Sequence, residues 1–314
     1  MKLRHDSISP WARGVHAASP CNAPGAASAL TGWLSAWTLK RRERRAPSAF
    51  SLIEIIVVIS LLSLITLGLL MMFNQTQRVF RAGLTQVDVL EGGRIVTDMM
   101  SRELQQMSAS YRGSATNFYV QLPPVAPLQQ SLPGVNLAKR TNLLEEMYFL
   151  TRENQTWTGI GYRVSNPVNG VGTLFRFEAS ASAAQSPDNL FAIYNNTALT
   201  NMSRVLDGVV HFKVRAFNPD GVWITDEINP PQDNTDVRFS TLTQGEIGFY
   251  GFRSNALPAA VEIEIGILED RTLRRVQSIP VGPVRTKYLE DQAGKVHIFR
   301  LRIPVRNVDS AAYS

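Results

Sequence analysis

From Ile55 to Phe73 the chain carries 19 consecutive residues without a charge. A helix of that length spans about 28 Å, enough to cross a bilayer hydrocarbon core of about 30 Å. No face of the run is charged, whereas a helix on the surface of a globular domain shows one polar stripe. The rest of the chain therefore has to be compatible with a segment whose solvent is lipid.

The flanks orient that segment. Lys40, Arg41, Arg42, Arg44 and Arg45 crowd its N-terminal side, and Asn74 to Gln77 on the other side are uncharged. The positive-inside rule then keeps the N-terminus in the cytoplasm and exports the residues beyond Phe73. Residues 1–49 hold eight Lys/Arg against Asp6 and Glu43, so they account for the entire formal charge of +6. The basic balance of the whole chain, which by itself suggests a nucleic-acid partner, is thus a topology signal. The remaining residues are formally neutral, which argues against strong electrostatic binding of nucleic acid. No small-x-small site lies in the residues just after Phe73, Asn74 to Leu84, so the apolar run is expected to be retained rather than cleaved off. The single cysteine, Cys21, precludes a disulfide within one chain.

One carboxylate interrupts the apolar pattern. Glu54 stands where a membrane charge costs about 2.5–3.5 kcal/mol at the bilayer centre and less toward the edge. It either snorkels to the interface or meets a specific cation. The stretch Ala49-Phe50-Ser51-Leu52-Ile53-Glu54 resembles the processing site of type IV pilins and type II secretion pseudopilins. The resemblance implies cleavage between Ala49 and Phe50 by a prepilin peptidase, N-methylation of Phe50, and Glu54 as the fifth residue of the mature chain. Ala49 stands where glycine is commonest in that family, and a leader of residues 1–49 is long for it; a mis-assigned start is the alternative to an extended leader. An ammonium at Phe50 and the Glu54 carboxylate of a neighbour can neutralise each other, so the pair acts as a register device between stacked subunits.

Past the span, Phe80, Leu84, Val87 and Leu90 recur at helical spacing, and so do Val96, Met100, Leu104 and Met107. The two stripes lie roughly 180° apart on a straight helix, with Gly92-Gly93 between them. Either the helix bends at the glycines or its halves face different partners; the resemblance favours the second, with the first stripe on neighbouring subunits and the second on the chain's own head. The expected helix runs from Phe50 to Ser110, about 90 Å.

From residue 115 the period changes to two. Strands are expected at Thr116–Leu122, Glu146–Thr151, Trp157–Val164, Thr173–Ala179, Val209–Phe217, Val222–Thr225, Ala260–Leu268 and His297–Val305. The proline-rich stretch Leu122–Gly134, Asn218-Pro219-Asp220-Gly221 and Asn229–Thr235 read as turns or loops, and Gln185–Thr200 as loop or short helix. Glu262 and Glu264 alternate with apolar residues and are positioned to pair with Lys213 and Arg215 or with Arg300 and Arg302. These charges read as the solvated face of an antiparallel sheet. The expected fold class is α+β: a long N-terminal helix, transmembrane over 50–73 and amphipathic over 74–110, packed on a β-rich head of residues 111–314. That layout is pilin-like. Val205–Val209, Trp223 and Leu257–Glu262 make the head similar to the J-type pseudopilin and the W-type minor pilin, and the layout also resembles the C-type proteins of the Verru_Chthon cassette group.

Catalytic signatures are sparse. After the leader only His211 and His297 remain as histidines, and HExxH, GxSxG and phosphate-binding glycine motifs are absent. Gly159-Ile160-Gly161 and Gly170-Val171-Gly172 read as turns. Asp233, Asn234 and Asp236 offer a weak Ca²⁺ possibility without the bidentate glutamate of a loop motif. The expectation is a non-enzyme with no catalytic residue, resident metal or cofactor. The resemblance implies a minor subunit near the tip of a pilus or pseudopilus. It implies residence in the bacterial inner membrane with a periplasmic head, and as partners the peptidase, other pilin-like subunits and an inner-membrane assembly platform. The alternatives are a DNA-uptake or adhesion subunit, and a single-span membrane-anchored enzyme.

Overall fold

The computed structural model describes residues 51–313 apart from 133, 135–137, 169, 183–185, 226–233 and 242. Lys40, Arg41, Arg42, Arg44, Arg45, Ala49 and Phe50 lie outside the described residues.

Helix α1 runs from Leu52 to Leu104 without interruption. It is long and apolar enough to cross a membrane. Side chains on every side of its first part are exposed, from Leu52 at 75% to Phe73 at 60%. The helix stops six residues short of the expected Ser110. The Ser108 N–H donates to the Leu150 carbonyl at 3.0 Å, and Met107 bridges to Thr151, so the chain leaves the helix to join the sheet.

The head is an antiparallel sheet of nine strands curled about the C-terminal half of α1, with a separate hairpin. In chain order the strands are β1 (Thr116–Gln121), β2 (Leu128–Ser131), β3 (Lys139–Asn142), β4 (Glu146–Glu153), β5 (Thr156–Val168) and β6 (Val171–Ser182). Helix α2 (Asp188–Asn196) precedes β7 (Ser203–Phe217), β8 (Thr235–Phe239), β9 (Ile247–Arg253) and β10 (Ala260–Leu268). Helices α3 (Asp270–Ser278) and α4 (Pro283–Glu290) lead into β11 (Val296–Pro304). The sheet order is β11-β10-β7-β6-β5-β4-β1-β9-β8, and β2 pairs with β3.

Three apolar clusters hold these layers. Val96, Met100, Leu104 and Met107 are buried among Phe118, Phe149, Tyr162, Phe212, Ile263 and Ile265 of the sheet. The second sequence stripe therefore faces the chain's own head. Gly93 has a packing reason: a Cβ there would lie 2.2 Å from the Phe299 ring, whereas one at Gly92 would meet only Leu206 at 3.6 Å. The loss of about 1 kcal/mol of helix propensity per glycine is offset by a close approach to β11. Farther along, Glu103 accepts from Arg176 Nε at 2.8 Å and from the Tyr162 hydroxyl, tying α1 to β5 and β6. On the outer side, Leu190 and Tyr194 of α2 pack on Tyr148, Leu150, Trp157 and Phe177. Gly161 is a strand residue rather than a turn: a Cβ would lie 2.3 Å from the Tyr194 ring, so Gly159-Ile160-Gly161 is a slot for α2. The third cluster joins Leu273, Val276 and Leu289 of α3 and α4 to Leu128, Val210 and Leu268.

Seven of the eight expected strands form. The eighth, Val222–Thr225, contributes a bridge between Trp223 and Phe217 and a hydrogen bond from the Ile224 N–H to the Ala216 carbonyl, but no named strand. Strands β2, β3, β8 and β9 and helices α3 and α4 were not foreseen.

Replacing Gly93 by alanine is expected to destabilise the head by about 1–3 kcal/mol, since the Phe299 ring must move. Gly83→Ala, with nothing within 4 Å of the added carbon, is expected to be neutral or slightly stabilising. Denaturant unfolding of the detergent-solubilised chain, monitored by tryptophan fluorescence, distinguishes the two.

Candidate functional site

The candidate site is the exposed part of α1, beginning with Glu54. Residues Ser51-Leu52-Ile53-Glu54 form a capping box. The Ser51 N–H donates to Glu54 Oε2 at 2.8 Å, the Ser51 hydroxyl donates to the same oxygen at 3.1 Å, and the Glu54 N–H donates back to Ser51 Oγ at 3.3 Å. A carboxylate at a helix N-terminus is also favoured by the helix dipole. Glu54 thus has a local role that its position in an apolar run did not disclose. The capping bonds fix its carboxylate at the start of the helix.

Beyond the apolar run the first stripe remains uncovered. Phe80, Leu84, Val87 and Leu90 are 68%, 51%, 55% and 48% exposed. The helix is therefore two-faced over this region, and the face opposite the head has no cover among the described residues. Single exposed apolar side chains are ordinary; here four recur at helical spacing, in a stretch whose described side chains are exposed up to buried Val89.

The head contains a polar cluster that corrects the reading of a solvated sheet face. His211, Lys213 and Glu264 are only 5%, 5% and 8% exposed. Register places Glu264 opposite Lys213 on β7 and Arg300 on β11, and Glu262 opposite Arg215; the Arg300 and Arg215 pairs form as expected, whereas Lys213 turns to another carboxylate. Arg215 reaches Glu262 at 3.0 Å and Glu264 at 3.2 Å, Arg300 pairs with Glu264, and Lys213 pairs with Glu246 in the β8–β9 connection. The curl of the sheet brings that connection over β7, and Trp223 lies against Arg215, so the β7 part of the face is covered while Arg300 and Arg302 on β11 remain exposed. His211 Nε2 lies 3.5 Å from Glu264 Oε2, while its Nδ1 accepts the Leu143 N–H at 3.1 Å. The His211 hydrogen bond, with Arg215 and Arg300, lowers the Glu264 carboxyl to about 2. Its negative charge is therefore a structural element that sequence alternation could not distinguish from a surface charge.

Beside it Glu145 closes a gap in the sheet. The Leu143 carbonyl accepts from Phe212 N–H at 2.7 Å and the Glu145 N–H donates to the Phe212 carbonyl at 2.9 Å. One residue pair on, the Glu145 carboxyl replaces a backbone carbonyl, accepting the Val214 N–H at 2.6 Å. Burial raises its pKa to about 8 despite that hydrogen bond. No signal in the sequence separates this glutamate from the adjacent Glu146, which pairs with Arg163 at 2.6 Å.

Other candidate chemistry resolves into structure. His297 sits 3.5 Å from Glu269. Asp233 lies outside the described residues, Asp236 is engaged by Arg238, and Asn234 Nδ2 donates to Asn255, so the carboxylate and amide of the suggested Ca²⁺ loop have other partners. Among the described residues no three His, Cys, Asp or Glu side chains cluster in a metal-binding arrangement. A cleft of about 520 Å³ beside Tyr119 and Asn195 contains the Glu146–Arg163 pair, whose charges neutralise each other.

Glu145 gives the head a testable pH dependence. Its folded pKa lies above the unfolded value of about 4.5, so the folded state retains a proton that the unfolded state has lost. Its contribution is complete below pH 4.5 and declines as pH rises to about 8, by on the order of a few kcal/mol. Glu145→Gln is expected to flatten stability over pH 5–8, measured by thermal unfolding at a series of pH values; an unchanged slope would assign the dependence to another group.

Comparison with protein-family models, with curated proteins and with solved structures finds no match to this chain.

Proposed function

We propose that the protein is a minor pilin or pseudopilin, a structural subunit that enters a fibre through its N-terminal helix. The carrying observation is the division of α1. Its apolar run suits a bilayer, one later stripe is consumed by the chain's own sheet, and the opposite stripe of Phe80, Leu84, Val87 and Leu90 is exposed. A helix built for its own head alone needs no second apolar stripe. A helix that also packs on equivalent helices does.

In this reading, prepilin peptidase cuts between Ala49 and Phe50 at the cytoplasmic face and the new amine is methylated. The basic residues Lys40, Arg41, Arg42, Arg44 and Arg45 hold the leader on that side of the bacterial inner membrane, with the head periplasmic. Glu54, fixed by its capping bonds to Ser51, receives the Phe50 ammonium of a neighbouring subunit during assembly on an inner-membrane platform. The nine-stranded head suits a position near the fibre tip, where a bulky domain need not repeat at every step. The subunit itself catalyses nothing; the chemistry is performed on it.

Mass spectrometry of the mature chain tests the processing step. The expected N-terminus is methylated Phe50, and any other terminus removes the principal support for this reading. Glu54→Ala is expected to abolish incorporation into fibres while leaving the protein in the membrane, read by shearing and membrane fractionation. A membrane-anchored enzyme would retain its function in that variant.

A further inference from the structure

Arg78 and Arg81 of α1 face a groove of about 900 Å³ against the α3–α4 region of the head. Its wall contains Arg78, Arg81, Arg271, Arg275 and Lys295 against a single carboxylate, Glu269. That carboxylate is held by Lys295 and His297, each at 3.5 Å. The neighbouring Asp270 is taken by Arg274. Among the described residues Arg78, Arg271 and Arg275 make no ion pair, and all three are exposed. Tyr288, half-buried, completes the wall.

We propose that this groove binds the phosphates of anionic phospholipids at the surface of the membrane that the apolar run crosses. Its level along α1 is the deciding fact. Arg78 and Arg81 lie five and eight residues after Phe73, which places their backbones about 7.5–12 Å past the end of the apolar run. Headgroups occupy about 5–8 Å on each side of the hydrocarbon core, and arginine side chains extend back toward them. Basic clusters immediately beside a span attract anionic lipid headgroups. Tyrosine, with an apolar ring and a polar tip, suits the same layer. Nucleic acid fits less well, because the chain after residue 49 is formally neutral and provides no long-range attraction. The bound lipid orients the head on the bilayer. The inference rests on the membrane span alone and not on fibre assembly.

The full-length chain with Cys21→Ser and Ser278→Cys, labelled with an environment-sensitive fluorophore at residue 278, is placed in nanodiscs. These contain either phosphatidylcholine alone or phosphatidylcholine with 30% phosphatidylglycerol. The expected result is emission about twofold stronger and blue-shifted in the anionic discs, lost at high salt and lost in Arg271→Glu/Arg275→Glu. Equal emission in both discs overturns the proposal, as does a rise that survives charge reversal or one that appears only on addition of duplex DNA. Failure of the chain to enter either disc overturns the span itself and this inference with it. Loss of fibre assembly with the fluorescence response intact leaves the lipid site standing.

Discussion

The close approach of α1 to the sheet at Gly93 and Phe299 sets the arrangement of the head. Only a residue without a side chain lets the helix backbone reach that ring, and the contact fixes which face of α1 turns inward. Val96, Met100, Leu104 and Met107 then enter the core at successive turns, and Glu103 reaches Arg176 and Tyr162. Because one helix can bury only one stripe against one sheet, the same choice leaves Phe80, Leu84, Val87 and Leu90 outside.

Sequence periodicity discloses those parts of the fold in which one residue type repeats on one face. The apolar run, both stripes of α1 and the long alternating strands β7, β10 and β11 belong to that class. The elements it missed have physical reasons for being hidden. Strand β9, Ile247–Arg253, interleaves glycine with aromatics, so its inward face is readable only when Tyr250 and Phe252 are seen in the core. Strands β2 and β3 form a hairpin inside and beyond a proline-rich stretch that reads as loop. Helices α3 and α4 are each about two turns long and bury only a few residues, Leu273, Val276 and Leu289 among them; their helicity comes from packing rather than pattern. Gly159-Ile160-Gly161 lies inside the expected strand Trp157–Val164, but its role as a slot was hidden because the Tyr194 ring that fills the space is distant in sequence.

The candidate site was legible to a different degree. The position of Glu54 was plain from its violation of an apolar run, and Ser51 three residues earlier carried the capping-box signature that explains how the carboxylate is held. The polar interior was not legible. Alternation identifies two faces of a strand but does not say whether the polar face meets water or another part of the chain. Lys213 and Glu264 became interior charges because the curled sheet returns Glu246 and Trp223 over them, a consequence of topology. Glu145 and Glu146 are adjacent in sequence, yet one acts as a neutral substitute for a backbone carbonyl and the other as an ion-pair partner.

The exposed stripe bears on function because lipid cannot satisfy all of it. Phe80 lies about 10 Å past Phe73 along the helix, near the edge of a headgroup layer of about 5–8 Å, whereas Leu90 lies about 25 Å past it, well beyond that layer. Complete burial of such side chains is worth about 1.5–3 kcal/mol each, so the row represents several kcal/mol available only to a protein partner. A partner that covers it must run alongside α1 and therefore rise from the same membrane. A second helix of this kind meets that geometric demand, and its own apolar run then lies beside this one within the bilayer. In that low-dielectric layer an unpaired Glu54 is costly, so under the proposed function pairing with a neighbour's amine would set the stagger between helices. In that proposal the aqueous stripe would supply attraction and the membrane carboxylate register, and the two features of α1 would act together.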